Sequence, residues 1–189
     1  MALGLDIIMW LIPLLLVIIV IGVFVIIYNN LIRLRRDIDK AWANIGVLLK
    51  QRHDELTKLV DAVKGYMKFE KKTLAQITEA RTSFLKAKTV EDKARADNMI
   101  SEAFKTIFAV AENYPQLQSQ KSFQQLQERI SGLENEIADR REFYNDSVTT
   151  FNIKIHSIPD MVVAGMLKYA DMELFKIAEH EKEDVKINF

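Results

Sequence analysis

The hydrophobic pattern of the chain begins with one uninterrupted apolar run. Residues 7–28 carry no charge and are mostly Leu, Ile and Val. As a helix this run spans about 33 Å, which matches a bilayer core of about 30 Å. A cleaved secretory signal would begin with basic residues, whereas Asp6 is the only charge in residues 1–6. We therefore predict an uncleaved transmembrane anchor at residues 1–30.

The apolar positions that follow the anchor change to a spacing of three and four residues. This spacing predicts a helix with one seam facing a partner. No helix breaker separates Tyr28 from Ile45, so we expect the anchor and the first bundle helix to be one element that ends near Lys64. The seam positions are Leu31, Leu34, Ile38, Trp42, Ile45, Leu49, Leu56, Leu59 and Val63.

Three further helices are predicted between residues 66 and 158. The second helix runs toward Lys88. The third begins with a capping box, in which the side chains of Thr89 and Asp92 each accept a hydrogen bond from the other residue's backbone N–H. The third ends before Pro115, because the residue before a proline disfavours helical geometry. The fourth opens near Ser122 with a heptad seam at Phe123, Leu126, Ile130, Leu133, Ile137, Arg140, Tyr144, Val148, Phe151 and Ile155.

These elements predict an all-α protein with an up-down-up-down antiparallel bundle at residues 31–158. Basic residues dominate the first long helix and acidic residues the fourth, so the two should attract. Residues 159–189 form the third region, an amphipathic helix at 160–178 followed by a charged tail. The apolar face of that helix comprises Val163, Leu167, Ala170, Leu174 and Ile177. This apolar face could be covered by the bilayer, by the bundle or by a neighbouring subunit, and the sequence leaves all three open.

Charge predicts the orientation of the anchor. No Lys or Arg precedes it, and a cluster follows it, which places the following residues inside by the positive-inside rule. We therefore expect a single-pass protein of the cytoplasmic (inner) membrane, with its N-terminus outside and the bulk of the chain in the cytoplasm. The absence of Cys agrees with a reducing compartment. The topology cations are Arg33, Arg35, Arg36 and Lys40.

The residues give no sign of a chemical centre. The three His lack the Glu-x-x-His spacing of di-iron bundles, and no glycine-rich phosphate loop or paired-Cys motif occurs. Glu134 and Glu136 fall on different helix faces and should be solvated. The balance of 26 basic and 26 acidic residues argues against a dedicated nucleic-acid binder. We expect no catalytic residue, metal or cofactor.

Several residues are candidates for register or assembly. Arg52 and Arg140 fall on seam positions, where they either form buried ion pairs that select one pairing or extend outward over neighbouring methylenes. Two aromatic-Asn doublets, Tyr144-Asn145 and Phe151-Asn152, predict packing with a solvated flank. Some apolar residues exceed what four helices need and predict a homo-oligomer, namely Phe104, Phe108, Phe143, Leu167, Leu174 and Ile177.

Two segments of the chain resemble the LemA family of bacterial membrane proteins. They are "DKAWANIGVLLKQRHDELTKLVDAVKGYMKFEKKTLAQITEAR" and "ENYPQLQSQKSFQQLQERISGLENEIADRREFYNDSVTTFNIKIHSIP". The resemblance implies a single N-terminal span, a helical bundle and no established catalytic activity. One branch of that family is associated with magnetosome membrane formation, which favours membrane organisation as a function.

Two functional hypotheses follow. The first is a non-enzymatic, membrane-anchored scaffold that self-assembles and organises or shapes the lipid bilayer. The alternative is a membrane-tethered adaptor or sensor stalk that binds a soluble or membrane protein whose identity is unknown. The scaffold predicts self-assembly alone, whereas the adaptor predicts stoichiometric co-purification of a second protein.

Overall fold

The structure is a computed structural model that describes residues 2–66 and 71–176, with side chains described from residue 9 onward. The described residues are almost all helical and contain no strand, so the all-α prediction is confirmed. The helices are α1 (Ala2–Val63), α2 (Lys71–Lys86), α3 (Val90–Ala111), α4 (Pro115–Gln118), α5 (Lys121–Ile155) and α6 (Asp160–Met166).

The chain divides into two compact units. The anchor unit comprises residues 2–40 and 146–172, and the bundle unit comprises the described residues of 41–145 together with 173–176. Helices α1 and α5 each contribute to both units. The predicted continuity of the anchor with the first bundle helix is confirmed, because α1 runs unbroken through Pro13 to Val63.

The anchor unit contains the one helix of the described chain that is long and apolar enough to cross a membrane. Its apolar side chains from Met9 to Ile26 are exposed. Such a continuous apolar surface is unfavourable in water and favourable in lipid. The anchor unit therefore has the properties of a single membrane span.

The bundle unit has the predicted antiparallel order. Contacts between α1 and α5 descend α5 as they ascend α1, and they are Trp42 with Tyr144, Arg52 with Glu134, and Glu55 with Arg129. Contacts between α1 and α3 ascend both helices, as Trp42 with Lys93 and Arg52 with Asp97 and Ser101. Helix α2 packs on α3 through the short connection at 87–89. The directions are up, down, up and down.

One apolar cluster fills the bundle unit. It joins α1, α2, α3, α4 and α5, so burial of each apolar stripe stabilises the others. The predicted seam of α1 is buried in full from Ile45 to Val63 at its apolar positions. The buried members of the cluster are Leu56, Leu59, Val63, Ile77, Ala80, Ile100, Ala103, Phe104, Ile107, Ala111, Leu117, Phe123 and Ile130.

The predicted capping box at the start of α3 is confirmed. The Asp92 N–H donates to the Thr89 hydroxyl at 3.0 Å, and the Asp92 carboxylate accepts from the Thr89 N–H. The Thr89 side chain and backbone hydrogen bonds lower the pKa of Asp92. Because the folded pKa lies below the unfolded one, this stabilisation is present at neutral pH and is lost as pH falls through the folded pKa.

The C-terminal helix is shorter than predicted. It begins at Asp160 as expected but ends at Met166, and residues 169–176 are not helical. Lys168 follows with a φ of 54°. The Lys168 N–H donates to the Gly165 carbonyl at 3.1 Å and the Tyr169 N–H to the Ala164 carbonyl at 3.0 Å. These two bonds form a Schellman motif, which terminates a helix.

Replacing Lys168 by Gly is expected to raise the free energy of unfolding by about 0.5–1 kcal/mol. A residue with a Cβ is strained in the left-handed region, and Gly is not, although Gly also gains entropy in the unfolded chain. Thermal unfolding of the full chain in mild detergent, followed by circular dichroism, measures the change. Lys168→Ala is the control, because it keeps the Cβ and should give no gain. Equal midpoints for the Gly and Ala variants would contradict the strain.

Candidate functional site

A buried network of charged side chains joins three helices of the bundle unit. Asp97 on α3 is completely buried and accepts hydrogen bonds from Arg52 on α1, at 2.6 Å, and from Arg141 on α5. Arg52 also donates to Ser101 at 2.8 Å and to Glu134 at 2.5 Å. Two guanidinium groups thus face two carboxylates, so the buried charges are compensated.

Fixing helix register is the role that we expect of this network. Its carboxylates are engaged by guanidinium groups, which stay protonated and therefore do not act as general acids or bases at neutral pH. The Arg52 guanidinium also lies over the Phe104 ring, with Cζ 5.5 Å from its centroid. In the part of the chain described, no group of three or more His, Asp or Glu side chains could hold a metal ion.

The structure places the two predicted seam arginines differently. Arg52 is buried in ion pairs, as one of the two alternatives expected. Arg140 extends outward, which was the other alternative, because its side chain is 51% exposed and lies 4.0 Å from Glu136; its placement on the seam is wrong. Arg141 occupies the seam instead, since the spacing from Ile137 is four residues rather than three. Whether any of these arginines sets register or assembly stays a prediction.

Glu134 also differs from its prediction. We expected a solvated carboxylate, but Glu134 is only partly exposed and binds Arg52. Glu136, expected to be solvated as well, is half exposed. Glu134 lies next to a seam position, and from there its carboxylate reaches the guanidinium at the end of the long Arg52 side chain on the facing helix.

The Phe175 site lies in the bundle unit and holds part of the extended C-terminal segment. The Asn145 side chain donates to the Phe175 carbonyl at 3.0 Å and accepts from the Phe175 N–H at 2.8 Å. The Phe175 ring is buried beside Trp42, with ring centroids 6.0 Å apart, and under the Arg141 guanidinium at 4.9 Å. The Tyr144 hydroxyl donates to the main chain just before it, at the carbonyl of residue 173.

The Met172 site lies in the anchor unit and uses the same device. The Asn152 side chain donates to the Met172 carbonyl and accepts from the Met172 N–H, both at 2.9 Å. The Phe151 and Tyr169 rings pack with centroids 5.3 Å apart. On the surface, His156 Nε2 lies 2.8 Å from the Asp171 carboxylate.

Both sites recognise an extended segment through its main chain. An Asn side chain carries one donor and one acceptor at its end, and it pairs with the N–H and C=O of one residue as a neighbouring strand would. An adjacent aromatic residue supplies the apolar contact. The sequence contained a signal for this, because the aromatic-Asn doublet recurs seven residues apart. We had predicted solvated Asn flanks, which is wrong.

The aromatic residues expected to exceed the needs of the bundle are mostly part of its core. Phe104 is fully buried, and Phe108 packs against it with ring centroids 6.2 Å apart. Both are therefore satisfied within one chain. Phe143 is 57% exposed, as an outward-facing residue of α5.

The tail residues expected to form an apolar helix face do not form one. Leu167 is partly buried at the end of α6, and Leu174 is exposed in the extended segment. Ile177 lies outside the described residues. The segment is extended because Asn side chains satisfy its backbone, and alternation then buries Phe175 in place of Leu174.

The chain is similar to several characterised bacterial proteins. Protein LemA of Metamycoplasma hominis is 33% identical over 177 residues, which cover 89% of this chain and 79% of that protein. Magnetosome protein MamQ 2 of Paramagnetospirillum magneticum is 24% identical over 175 residues, covering 79% of this chain and 64% of that protein. Magnetosome protein MamQ of Magnetospirillum gryphiswaldense is 30% identical over 87 residues, covering 46% and 30%.

A family model agrees with these similarities. The model described as the LemA family matches residues 41–189. The matched region includes the buried charge network and both sites that hold the C-terminal segment, and neither the family nor the relatives carry the name of an enzyme. The chain therefore belongs to the LemA family, and it is a membrane-associated helical protein with one candidate membrane span.

Proposed function

We propose that this protein is a non-enzymatic, membrane-anchored scaffold that self-assembles into a homo-oligomer and organises the bilayer that holds it. The observation that carries the proposal is the extended C-terminal segment, which is held through its main chain at Asn152 and Asn145. A segment held in this way is a unit that neighbouring copies can exchange.

Exchange requires no new contact. A site that pairs main-chain N–H and C=O groups accepts the same segment from another copy as well as its own. The anchor confines all copies to one surface, which raises the local concentration of competing segments. Two of the similar proteins are named magnetosome proteins, and this supports a structural role at a membrane.

The proposed orientation has the bundle in the cytoplasm. Arg33, Arg36 and Lys40 are exposed just after the anchor, and by the positive-inside rule such a cluster beside a span favours the cytoplasmic side. Since the chain has no Cys, a single Cys reports its own location. On intact cells, Ala2→Cys should react with an impermeant maleimide, and Leu85→Cys, on the exposed surface of α2, should react only after lysis. The opposite pattern would reverse the orientation.

A crosslinking experiment tests segment exchange. His156 and Asp171 are both exposed and in contact, so Cys at these positions lie within reach of a short thiol-to-thiol crosslinker. One tagged chain carries His156→Cys and a second, differently tagged, carries Asp171→Cys. Co-expressed in membranes, they should give a covalent dimer bearing both tags. The double variant in one chain verifies that the reagent spans the pair.

The control separates exchange from random collision. Glu102 is exposed on α3 and is not among the residues that hold the segment at the two sites described above, so His156→Cys with Glu102→Cys measures collisional crosslinking. Exchange would be refuted if mixed dimers form only at the level of this control, and if the double variant forms its crosslink only within one chain.

The adaptor hypothesis is the second candidate, and the Phe175 site favours it specifically. An extended peptide with an aromatic residue, supplied by another protein, fits the same contacts. It would appear as stoichiometric co-purification of that protein, lost on Asn145→Ala, with no mixed-tag dimer.

A further inference from the structure

We propose that residues 158–166, comprising the end of the α5–α6 connection and α6, form a lipid-contacting surface. Exposed apolar side chains of this stretch would insert into the boundary between the headgroups and acyl chains of the bilayer that holds the anchor. We call this stretch the α6 surface. It is distinct from α1, which supplies the span itself.

Helix α6 has two apolar faces, and only one is covered. Val163 and Ala164 are buried within the anchor unit. The other apolar residues are exposed together, with Ile158 at 83%, Val162 at 63% and Met166 at 67%. Met161 beside them is 46% exposed. Contiguous exposed apolar patches mark an interaction surface, whereas single exposed residues do not.

Burial along α1 indicates the depth of this surface. Ile27 is 9% exposed and Leu31 is fully buried, whereas the apolar side chains of α1 from Met9 to Ile26 are exposed. The other stretch of the anchor unit is residues 146–172, and we infer that it covers Ile27 and Leu31. Ile27 belongs to the apolar run that ends at residue 28. The stretch bearing α6 therefore reaches the level of the last turn of the membrane anchor.

Lipid is the occupant that this depth favours. The apolar side chains of the anchor just before this level are exposed, and they lie in lipid in any spanning arrangement. Exposed side chains of α6 at the same level would meet the same lipid. The residues of the anchor unit include six Lys or Arg and six Asp or Glu. Because these charges balance, we expect no net attraction to anionic lipid. The apolar side chains should therefore insert into a zwitterionic bilayer as well.

This inference deepens the proposed function and rests on it for placing α1 in a bilayer. It gives the scaffold a contact with a single leaflet in addition to its span. An element that enters one leaflet only acts on the two leaflets unequally, which suits a protein that organises the bilayer.

Site-specific fluorescence quenching tests the α6 surface. The full chain, with Val162→Cys as its only Cys, is labelled with an environment-sensitive fluorophore and reconstituted in phosphatidylcholine vesicles. Lipid carrying a nitroxide near the headgroup end of its acyl chain is the quencher. Val47→Cys is the matched control, because Val47 is a Val of similar exposure, at 57%, in the bundle unit. Val20→Cys in the anchor is the positive reference.

Quenching at Val162 should exceed that at Val47 by at least about threefold, with blue-shifted emission. Equal quenching at Val162 and Val47 would overturn the inference. Blue-shifted emission at Val162 without lipid quenching would also overturn it, because protein would then cover the surface. Strong quenching at Val20 shows that the chain is inserted. A failure at Val162 alone thus leaves the scaffold standing, and the mixed-tag dimer tests the scaffold separately.

Discussion

Replacing Asp97 by Asn is expected to lower the free energy of unfolding by about 3–5 kcal/mol, the cost of breaking a buried ion pair by removing one partner. Asp97 is completely buried and accepts from both Arg52 and Arg141. Its amide isostere keeps the shape but removes the charge that compensates two guanidinium groups. The ion pair of Arg52 with Glu134 would remain, but Glu134 is partly exposed.

Urea unfolding of the full chain in mild detergent, followed by circular dichroism, measures this loss. Glu102→Gln is the control on the same helix, because Glu102 is exposed and its ion pair with Lys105, at 3.0 Å, is exposed as well. It should change stability by no more than about 0.5 kcal/mol. A loss below about 1 kcal/mol for Asp97→Asn would show that the network is not compensated as described.

The neighbouring arginines of α5 give a second comparison on the same network. Arg141→Gln removes a donor to buried Asp97, whereas Arg140→Gln removes an exposed charge. We expect a large loss for the first and almost none for the second. Equal losses in the free energy of unfolding for the two variants would indicate that Arg140 lies on the seam after all.

Replacing Phe175 by Ala is expected to release the C-terminal segment from the bundle unit. Removing a buried Phe ring costs about 3–5 kcal/mol, and here the ring is the main apolar contact of the segment with Trp42 and Arg141. Because the segment lies at one end of the described fold, the cost should appear as local opening rather than global unfolding. A loss of about 3 kcal/mol raises the open population roughly a hundredfold.

Limited trypsin digestion measures this opening, because Lys168 and Lys176 flank the segment. The initial cleavage rate should rise by about two orders of magnitude in Phe175→Ala if cleavage occurs from the open state. Leu174→Ala is the control, since Leu174 is the exposed neighbour in the same segment. Equal cleavage rates in the two variants would mean that Phe175 does not hold the segment.

The helices of this protein follow directly from its sequence pattern. The seam of α1 was predicted from a spacing of three and four residues. Sustained over nine positions, that spacing fits an α-helix with one apolar face. The capping box at Thr89 was predicted because it depends on two side chains three residues apart. Local rules of this kind require no knowledge of the rest of the fold.

The choice between Arg140 and Arg141 was beyond such rules. From Ile137 to Tyr144, a step of three then four residues and a step of four then three both keep a helical seam. The structure takes the second, because buried Asp97 on α3 supplies the acceptor for Arg141. That acceptor lies 44 residues away in the sequence, so the helix pattern alone does not identify it.

The extended segment was missed for a related reason. Residues 160–178 have apolar positions at helical spacing, but propensity is overridden when tertiary partners satisfy an extended backbone. Those partners are Asn145 and Asn152, whose spacing suggested solvated positions. The pairing depends on main-chain atoms, which leave no side-chain pattern in the segment itself.

Main-chain recognition has an evolutionary consequence. Asn145 and Asn152 contact only atoms that every residue other than proline possesses, so selection at the exposed positions of the segment is relaxed. Residues such as Glu173 and Leu174 are free to diverge among lineages, provided that proline does not remove an N–H at 172 or 175. Under the proposed exchange, copies whose segments have drifted apart would still accept one another's segments, and paralogues within one cell would form mixed assemblies unless the aromatic contact at 175 changes.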